Sequence, residues 1–553
     1  MSSSAFDVFA CELAGTQLIE ASAGTGKTWN LCALVLRLLL ERELAVEQIL
    51  VVTFTNAATA ELRERVRARI AETLARLRGA VVPGADPFVD TLLARLRGPL
   101  GRSDAQLTAR LELALHGFDA AAIQTIHGFC QRALAEAPFV SGMPLRMDLL
   151  ADDEALRLQA VHDFWRRHVA GAALSGALAA HLLQNQFTPQ RLAELLARHL
   201  AKPCSRLIWP DELDAPDSPD APRDAAALQA AFDAARALWQ RDRDAVLAIV
   251  AEALPRLPRN RYSQAATQLA ARSWDALLAG EHAPDSLAGL DKLELLGSAR
   301  LRPNRGLAPP AEHAFFAAAQ GLLDLLDARR QALERQRLRL LRRFLHEAGA
   351  QLQRTKREQR VLGFDDMLGN LHQRLAAPGG AALARALRQR FAAALVDEFQ
   401  DTDPLQYAIF RAIYGGGDGG GDGGSDGSRD GGGSDAPLFL VGDPKQAIYS
   451  FRHADLHTYL RARADAHAAF TLSENQRSTA ELLHALNALF GANPRAFMLD
   501  GLHYQPVRCG AKARTPLREA PTPARAALQL WQLPRGADGQ PLPRAQAQRA
   551  ALQ

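Results

Sequence analysis

Short apolar runs alternate with amphipathic runs in two separate parts of the chain. Between residues 1 and 140, three apolar runs of strand length are each followed by a run with apolar residues at helical spacing. Three more apolar runs come between residues 361 and 472. The predicted strands are Gln17–Glu20, Ile49–Thr53, Ala121–Thr125, Phe391–Val396, Leu438–Val441 and Ala468–Leu472, and the helices after the first three are Lys27–Glu41, Ala57–Leu77 and Ile126–Ala135. This alternation predicts an α/β fold with a parallel sheet that binds ligands at the carboxyl ends of its strands.

Residues 141–360 have a different pattern, made of long Ala-, Leu- and Arg-rich helical runs with proline-rich loops between them. We therefore predict an all-α insertion of about 220 residues that splits the sheet. Within it, Arg329–Arg360 is predicted to be one long basic helix; a solvated connecting helix is favoured over one that follows a phosphate backbone. Residues 1–140 and 361–470 would form the first domain, and residues 471–553 would begin a second.

Residues 415–435 consist almost entirely of Gly, Asp and Ser. Such a segment cannot bury apolar surface, so we predict a tolerated surface loop between two strands of the sheet. A calcium-binding repeat is the alternative, disfavoured because the spacing is irregular and strand residues are missing.

Composition and length narrow the classes of protein. A chain of 553 residues with 48% apolar residues predicts two to four globular domains. The five cysteines show no CxxC spacing, which argues against a zinc site, an iron–sulfur cluster or a disulfide framework and fits the reducing cytoplasm. Residues 1–10 do not resemble a signal peptide, and no uncharged run approaches the ~20 residues that span a bilayer. We expect a cytoplasmic protein without a membrane partner.

One loop between a predicted strand and a predicted helix has the composition of a phosphate-binding loop. Residues 21–28 read ASAGTGKT and follow the form GxxxxGK[ST], with Ala21 at the first glycine. Small residues let backbone N–H groups point at one spot, where the partial positive charge of a helix N-terminus also acts. Lys27 would reach the β- and γ-phosphates, and the Thr28 hydroxyl would bind Mg²⁺. A chance glycine-rich turn is the alternative.

A pair of carboxylates, Asp397 and Glu398, directly follows the predicted strand Phe391–Val396. Asp397 is placed to hold Mg²⁺, and Glu398 to orient and deprotonate an attacking water. An acidic loop after a core strand is common by itself. Its combination with the phosphate-binding loop indicates nucleotide hydrolysis.

Three further segments begin at predicted strand ends and mix short polar, aromatic and cationic residues. They are residues 53–65, 125–130 and 442–455. Phe54 offers a stacking face, and Tyr449, Phe451 and Arg452 form the aromatic and cationic mixture that binds single-stranded nucleic acid. Taken singly, each segment is more often core or helix-cap chemistry, and a lone histidine such as His127 is usually structural.

Taken in chain order, these segments resemble the superfamily 1 helicases of the UvrD/Rep type. The resemblance extends over residues 15–480; it is specific at the motifs and weak in the predicted insertion. The strings that carry it are IEASAGTGKT at 19–28, TIHGFCQ at 125–131, LGFDDML at 362–368, VDEFQDTDP at 396–404 and GDPKQAIY at 442–449.

The resemblance implies a P-loop NTPase (RecA-like) fold, with ATP and Mg²⁺ as cofactors. It implies that Glu398 is the base, that Gln446 senses the γ-phosphate and that Arg477 contacts this phosphate from the second motor domain. The implied ATP-binding loop is Ala21, Ser22, Ala23, Gly24, Thr25, Gly26, Lys27 and Thr28, with Thr28 and Asp397 as Mg²⁺ ligands. The implied DNA contacts are Phe54, Thr55, Asn56, Thr125, His127, Tyr449, Phe451 and Arg452.

The chain departs from the family pattern at three places. Gln476 stands where the family usually has Tyr or Trp, and His453 stands where it has Gly. The upstream glutamine that reads adenine is not placed, because Gln17 is too close to the phosphate-binding loop.

The implied activity is that of an ATP-dependent 3′→5′ DNA helicase or translocase, which feeds a DNA-end-processing nuclease in double-strand-break repair and recombination. The implied partners are single-stranded DNA, duplex ends and RecC-like and RecD-like subunits. We expect residues 1–553 to be an N-terminal fragment of low activity, because later motor and nuclease motifs are not found after Ser478. The alternatives are an ATP- and DNA-binding module without motor activity, and a helicase of the AddA or free-standing UvrD type.

Overall fold

The chain forms two compact units. In a computed structural model, residues 1–149 and 362–553 form one unit, here called the sheet unit, and residues 150–361 form the other, the helical unit. The structure describes residues 4–80, 86–136, 148–150, 152–214, 221–284, 287, 289–415, 436–448, 454–514, 527–529, 532–533, 535–536 and 539–552. The predicted loop at 415–435, with its calcium alternative, lies outside the described residues except for Gly415.

Seven parallel strands form the main sheet. The described strands of the whole chain, in the main sheet and outside it, are in chain order β1 (Ser4–Ala5), β2 (Thr16–Ala21), β3 (Ile49–Thr53), β4 (Ile123–Thr125), β5 (Asp148–Leu150), β6 (Val361–Gly363), β7 (Ala393–Val396), β8 (Leu438–Gly442), β9 (Ala468–Leu472), β10 (Glu474–Asn475) and β11 (Arg508–Cys509). The main sheet has the order β1-β9-β2-β8-β7-β3-β4, and every described pair in it is parallel. Strands from before and after the helical unit therefore lie side by side within one sheet.

The chain has seventeen described α-helices. They are α1 (Lys27–Leu40), α2 (Asn56–Leu77), α3 (Pro87–Arg97), α4 (Asp104–His116), α5 (Ile126–Glu136), α6 (Glu154–Trp165), α7 (Gly176–Gln184), α8 (Pro189–Leu200), α9 (Ala221–Ala253), α10 (Gln264–Leu277), α11 (Ala314–Gln359), α12 (Phe364–Ala376), α13 (Gly380–Arg390), α14 (Pro404–Tyr414), α15 (Leu456–Asp465), α16 (Ala480–Gly491) and α17 (Arg544–Leu552).

Alternate residues of the central strands contribute to two cores, one on each face of the sheet. In β3, Ile49 and Val51 belong to the core that α1 to α4 cover, whereas Leu50 and Val52 belong to the core covered by α5 and α12 to α15. Every residue of β2, β7 and β8 is buried. Strands covered on both faces are continuous apolar runs, which explains why they could be predicted from the sequence.

The predicted α/β fold with a parallel sheet is confirmed, and all six predicted strands are present with shifts of one or two residues at some ends. Two of these strands begin later than predicted, at Ile123 and at Ala393. Among the described elements of residues 1–140, the edge strand β1 and the helices α3 and α4 were not predicted.

The helical unit has two cores of its own, and the 46-residue helix α11 contributes to both. Its first half packs with α9 and α10 through residues such as Phe315 and Leu322. Its second half packs with α6, α7 and α8 through residues such as Phe344 and Leu352. The predicted basic helix is thus the second part of a longer helix. Several of its basic side chains form ion pairs within the unit, with Asp214, Glu334 and Asp153.

The segment after β9 buries little of its own surface. Strand β10 pairs with β11 in parallel, and Phe490 of α16 stacks with Phe497 and Tyr504. Its assignment as the beginning of a second domain stays a prediction. Among the helices that the structure describes, none combines the length and the apolar character needed to cross a membrane.

Candidate functional site

The loop between β2 and α1 has the geometry of an anion-binding turn. Gly24 and Gly26 have φ angles of 78° and 87°, in the left-handed region that favours glycine. Gly26 is the N-cap residue of α1. Because glycine has no side chain, it makes no capping hydrogen bond to the first N–H groups of the helix. Thr25 holds the turn through an Oγ1 hydrogen bond of 2.7 Å to the Ser22 carbonyl.

Ala21, the departure from the usual first glycine, is the last residue of β2 and is fully buried. Extended strand backbone accepts any L-residue, so the position requires a small side chain and not the conformational freedom of glycine. The departure is therefore compatible with the loop.

Lys27 and Glu398 meet at the carboxyl ends of β2 and β7. Lys27 Nζ lies 2.5 Å from Glu398 Oε2, and the lysine side chain is only 14% exposed. Thr28 follows in the first turn of α1 and is half-buried. The sequence placed these residues nearly 400 positions apart, and the sheet order brings them together.

Asp397 is the buried member of the carboxylate pair. Its N–H donates to the Val52 carbonyl at 2.9 Å, and its Oδ1 accepts from the Glu398 N–H at 2.9 Å. Burial, and then the neighbouring Glu398 carboxylate, raise the pKa of Asp397 to about 6, although the Lys27 ammonium opposes this shift. A cation beside Asp397 would restore its ionised form, so the donor set suits a divalent ion.

Glu398 has a strained backbone. Its φ of 50° lies in the left-handed region, which costs a residue with a side chain about 1–2 kcal/mol. Such strain persists where the surrounding structure holds the residue in place, and it is concentrated at functional sites.

Gln446 joins the site through two residues that sequence reasoning missed, Gln400 and Asp443. Gln446 Nε2 donates to Asp443 Oδ2 at 2.7 Å, and the Asp443 N–H donates to Gln400 Oε1 at 2.8 Å. Gln400 Nε2 in turn donates to Glu398 Oε2 at 2.9 Å. A continuous set of contacts therefore connects Lys27 with Gln446.

The turn that carries Gln446 is fixed to β2 by a buried ion pair. Lys445 Nζ lies 2.9 Å from Glu20 Oε1 and 2.8 Å from Asp443 Oδ1. Burial acts to lower the pKa of Lys445, but the two carboxylates outweigh it and raise that pKa. Lys445 is therefore a structural cation, held away from solvent.

Arg477 lies directly against the phosphate-binding loop. The N–H of the preceding residue, Gln476, donates to the Gly24 carbonyl at 2.7 Å. The Gln476 side chain turns away to the Lys512 N–H, 3.2 Å from its Oε1. Arg477 is thus brought to the loop, whereas the unusual Gln476 side chain contacts its own segment.

The described residues predicted to contact DNA lie at the ends of two adjacent strands. Thr53 of β3 is in register with Thr125 of β4. Phe54 is half-buried, Thr55 caps α2 by accepting from the Ala58 N–H at 3.1 Å, and Asn56 is exposed. The predicted contacts Tyr449, Phe451 and Arg452, with the departure at His453, lie outside the described residues.

His127 has an aromatic neighbour that the sequence did not single out. The ring of Phe364 lies 5.9 Å from the His127 ring, edge to face, and Phe364 is 44% exposed. An exposed aromatic ring offers a face on which a base can stack.

The comparisons with known proteins agree with this geometry. Residues 3–467 match the family model described as the UvrD/REP helicase N-terminal domain. The RecBCD enzyme subunit RecB of Escherichia coli K12 is 37% identical over 515 residues, which cover 90% of this chain and 40% of that protein. The RecB subunit of Haemophilus influenzae is 31% identical, with 89% of this chain and 41% of that protein covered. The RecB subunit of Mycobacterium tuberculosis H37Rv is 29% identical, with 86% and 29% covered.

The chain thus spans less than half the length of these curated relatives. The family model covers most of the chain and includes the phosphate-binding loop, the carboxylate pair and Gln446. The resemblance seen in the motifs is confirmed, and the chain belongs to the UvrD/REP helicase family, whose N-terminal domain it contains.

Proposed function

We propose that this chain binds ATP at the carboxyl edge of its sheet and that, in the complete protein, ATP hydrolysis drives 3′→5′ movement along DNA. The observation that carries the proposal is the meeting of Lys27, Asp397 and Glu398 beside a glycine turn at a helix N-terminus. Phosphates would bind to the N–H groups of the turn and to Lys27. Glu398 would orient and deprotonate the attacking water.

Thr28 and Asp397 would hold Mg²⁺, because a hydroxyl and a carboxylate are the oxygen ligands that this ion prefers. Bound Mg²⁺ would neutralise charge on the β- and γ-phosphates. Gln446 would sense the γ-phosphate, and Arg477, which already lies against the loop, would stabilise the charge that develops there.

We also propose that single-stranded DNA runs past the ends of β3 and β4, with Phe54 and His127 near its bases and Asn56 near its phosphates. The relatives are named as RecB subunits of the RecBCD enzyme. We therefore propose that the complete protein works in the cytoplasm on duplex DNA ends with RecC-like and RecD-like subunits, in break repair and recombination.

The test compares one substitution of Lys27 with one substitution of Glu398. Lys27→Ala removes a charge-assisted phosphate contact, so ATP affinity measured by calorimetry with Mg²⁺ should fall roughly 10- to 150-fold. Glu398→Gln keeps the shape of the side chain, so the complete protein should still bind ATP while turnover falls at least ~10²-fold. Unchanged ATP affinity in the lysine variant would refute the nucleotide site.

Residues 1–553 alone should bind ATP and single-stranded DNA but hydrolyse ATP slowly, because phosphoryl transfer depends on several cations around the γ-phosphate. A coupled ATPase assay with saturating single-stranded DNA, run beside strand displacement on a 3′-tailed duplex, measures this. Turnover on the order of 10 s⁻¹, the median for enzymes, would contradict it.

A further inference from the structure

Asn475, at the end of β10, connects two parts of the site with one side chain. It is 4% exposed. Its Nδ2 donates to the Ala23 carbonyl at 2.7 Å, and its Oδ1 accepts from the N–H groups of Arg477 and Ser478, both at 2.8 Å. The phosphate-binding loop and the turn that carries Arg477 are therefore joined through this amide.

The fit between the two segments is close. A Cβ added to Gly24 would lie 2.8 Å from the Arg477 Cβ and 2.9 Å from the Asn475 Nδ2, distances that real Cβ atoms do not adopt. The segment approaches the carbonyl side of the loop, at Ala23 and Gly24. The N–H groups of the loop, which bind anions, are not used by these contacts.

Asn475 is also held from its other side. Its own carbonyl accepts from the Gly510 N–H at 2.9 Å, and Asn475 pairs with Cys509 in the β10–β11 ladder. A buried side chain whose donor and acceptor are both used, on a backbone that is itself paired, has a single orientation. Such a residue can fix the position of a neighbour that has few contacts of its own.

We infer that Asn475 is a positioning residue of the proposed ATP site: it fastens the turn of Arg477 to the phosphate-binding loop and so sets where the guanidinium meets the γ-phosphate. This inference rests on the proposed function. Asn475 bonds to the carbonyl of Ala23 and to the turn of Arg477, so its effect on nucleotide binding acts through the loop and through Arg477. Because ADP lacks the γ-phosphate, losing Asn475 should weaken the binding of ATP more than that of ADP.

The experiment measures the affinity of residues 1–553 for a non-hydrolysable ATP analogue and for ADP, by calorimetry with Mg²⁺. Asn475→Ala should weaken binding of the analogue about 10-fold or more, since three hydrogen bonds of a buried group are lost. The loss for ADP should be clearly smaller, so the preference for the analogue over ADP should fall.

Asn487 supplies a matched control in the same segment. Its Nδ2 donates to the Val507 carbonyl at 2.9 Å, and its Oδ1 accepts from the Tyr504 hydroxyl at 2.8 Å and the Val507 N–H at 3.2 Å. Asn487→Ala therefore also removes three hydrogen bonds of an asparagine side chain, without touching the loop. It should lower the melting temperature of the segment but leave the ratio of the two nucleotide affinities as in the wild type.

Asn475→Ser covers the case in which the alanine variant does not fold. The serine hydroxyl can accept from the N–H groups of the turn, but the serine side chain is too short to reach the Ala23 carbonyl. The same change in nucleotide preference is therefore expected. If the wild type binds the analogue and both Asn475 variants keep its preference for the analogue over ADP, the inference is wrong and the proposed function stands. A wild type that binds neither nucleotide overturns both.

Discussion

At the scale of single residues, the candidate site holds several carboxylates in a small, partly buried volume. Asp397, Glu398 and Asp401 lie within five positions after β7. Burial, and then Glu398, raise the pKa of Asp401 to about 6, and Oδ1 of Asp401 is buried without a hydrogen-bond partner. This carboxylate is therefore a source of instability near neutral pH.

Replacing Asp401 should change how the free energy of unfolding depends on pH. A carboxyl whose pKa is higher in the folded protein than in the unfolded chain makes the folded state bind more protons, so the contribution of Asp401 to wild-type stability falls as the pH rises from about 4 to about 6. Asp401→Asn does not titrate. Its stability relative to the wild type should therefore be about 2–3 kcal/mol higher at pH 8 than at pH 4, measured by urea denaturation without Mg²⁺.

Asp500, which lies in the same unit and is 96% exposed, offers the control Asp500→Asn. That substitution should change little between the two pH values. If Asp401→Asn shifts stability equally at pH 4 and pH 8, the ionised form of Asp401 carries no burial cost.

The sequence predicted which residues would form the candidate site, but it did not predict the residues that hold them. Lys27, Asp397 and Glu398 stand at strand ends in a recognisable order, so position and residue type together predicted them. Gln400 and Asp443 are single polar residues whose partners lie up to 43 positions away. No periodicity indicates such a contact, because the sheet order that creates it is a property of the whole domain.

Among the elements, α1 is anchored at both ends. Its first residue, Lys27, is in the site, and its last turn carries Arg37, whose guanidinium is buried among Glu41 and the carbonyls of Val8 and Cys11. The pair formed by Arg37 and Glu41 is only 3% and 9% exposed. The helix thus fixes the N-terminal segment at the end opposite to the phosphate-binding loop.

Breaking this buried pair should destabilise the sheet unit strongly. Glu41→Ala leaves a buried guanidinium without its main counter-charge, which costs about 3–5 kcal/mol. The i,i+4 pair of Glu61 and Arg65 on α2 is 60% and 56% exposed, so Glu61→Ala should cost about 0.3–0.5 kcal/mol. Chemical denaturation of both variants measures the difference, and similar losses would show that burial does not set the strength of these pairs.

The elements of residues 1–140 that the sequence did not predict were of two kinds. Strand β1 has two exposed residues, so it carries no apolar pattern. Helices α3 and α4 did have recognisable starts: Asp86 caps α3 ahead of Pro87, and Ser103 forms a capping box with Gln106. Their starts could have been found from these residues, although the sequence analysis did not use them.

At the scale of the whole molecule, the two units have separate cores. The buried clusters of the helical unit contain only residues between 160 and 352, and those of the sheet unit contain none of these. Calorimetric unfolding should therefore show two transitions. A bound ATP analogue at 100 times its Kd should stabilise the sheet unit by about 2.7 kcal/mol and leave the other transition unchanged.

The Lys27→Ala variant is the control for this measurement, because a roughly 10- to 150-fold loss of affinity should reduce the shift to about 0.3–1.4 kcal/mol at the same ligand concentration. One transition that moves as a whole with the ligand would show that the two units unfold together.

The strand order also has a consequence for how the protein is made. Among the described strands, β2 lies between β8 and β9 and pairs with both, and the Thr16 N–H donates to His467, 451 positions later. During synthesis the chain leaves the ribosome from its N-terminus, so β2 has no strand to pair with while the helical unit emerges. The helical unit can therefore fold before the main sheet does. The loop at the end of β2 acquires its neighbours only when β9 arrives. A nascent chain released early would carry Lys27 but not the sheet that holds it, and so could not form the proposed ATP site.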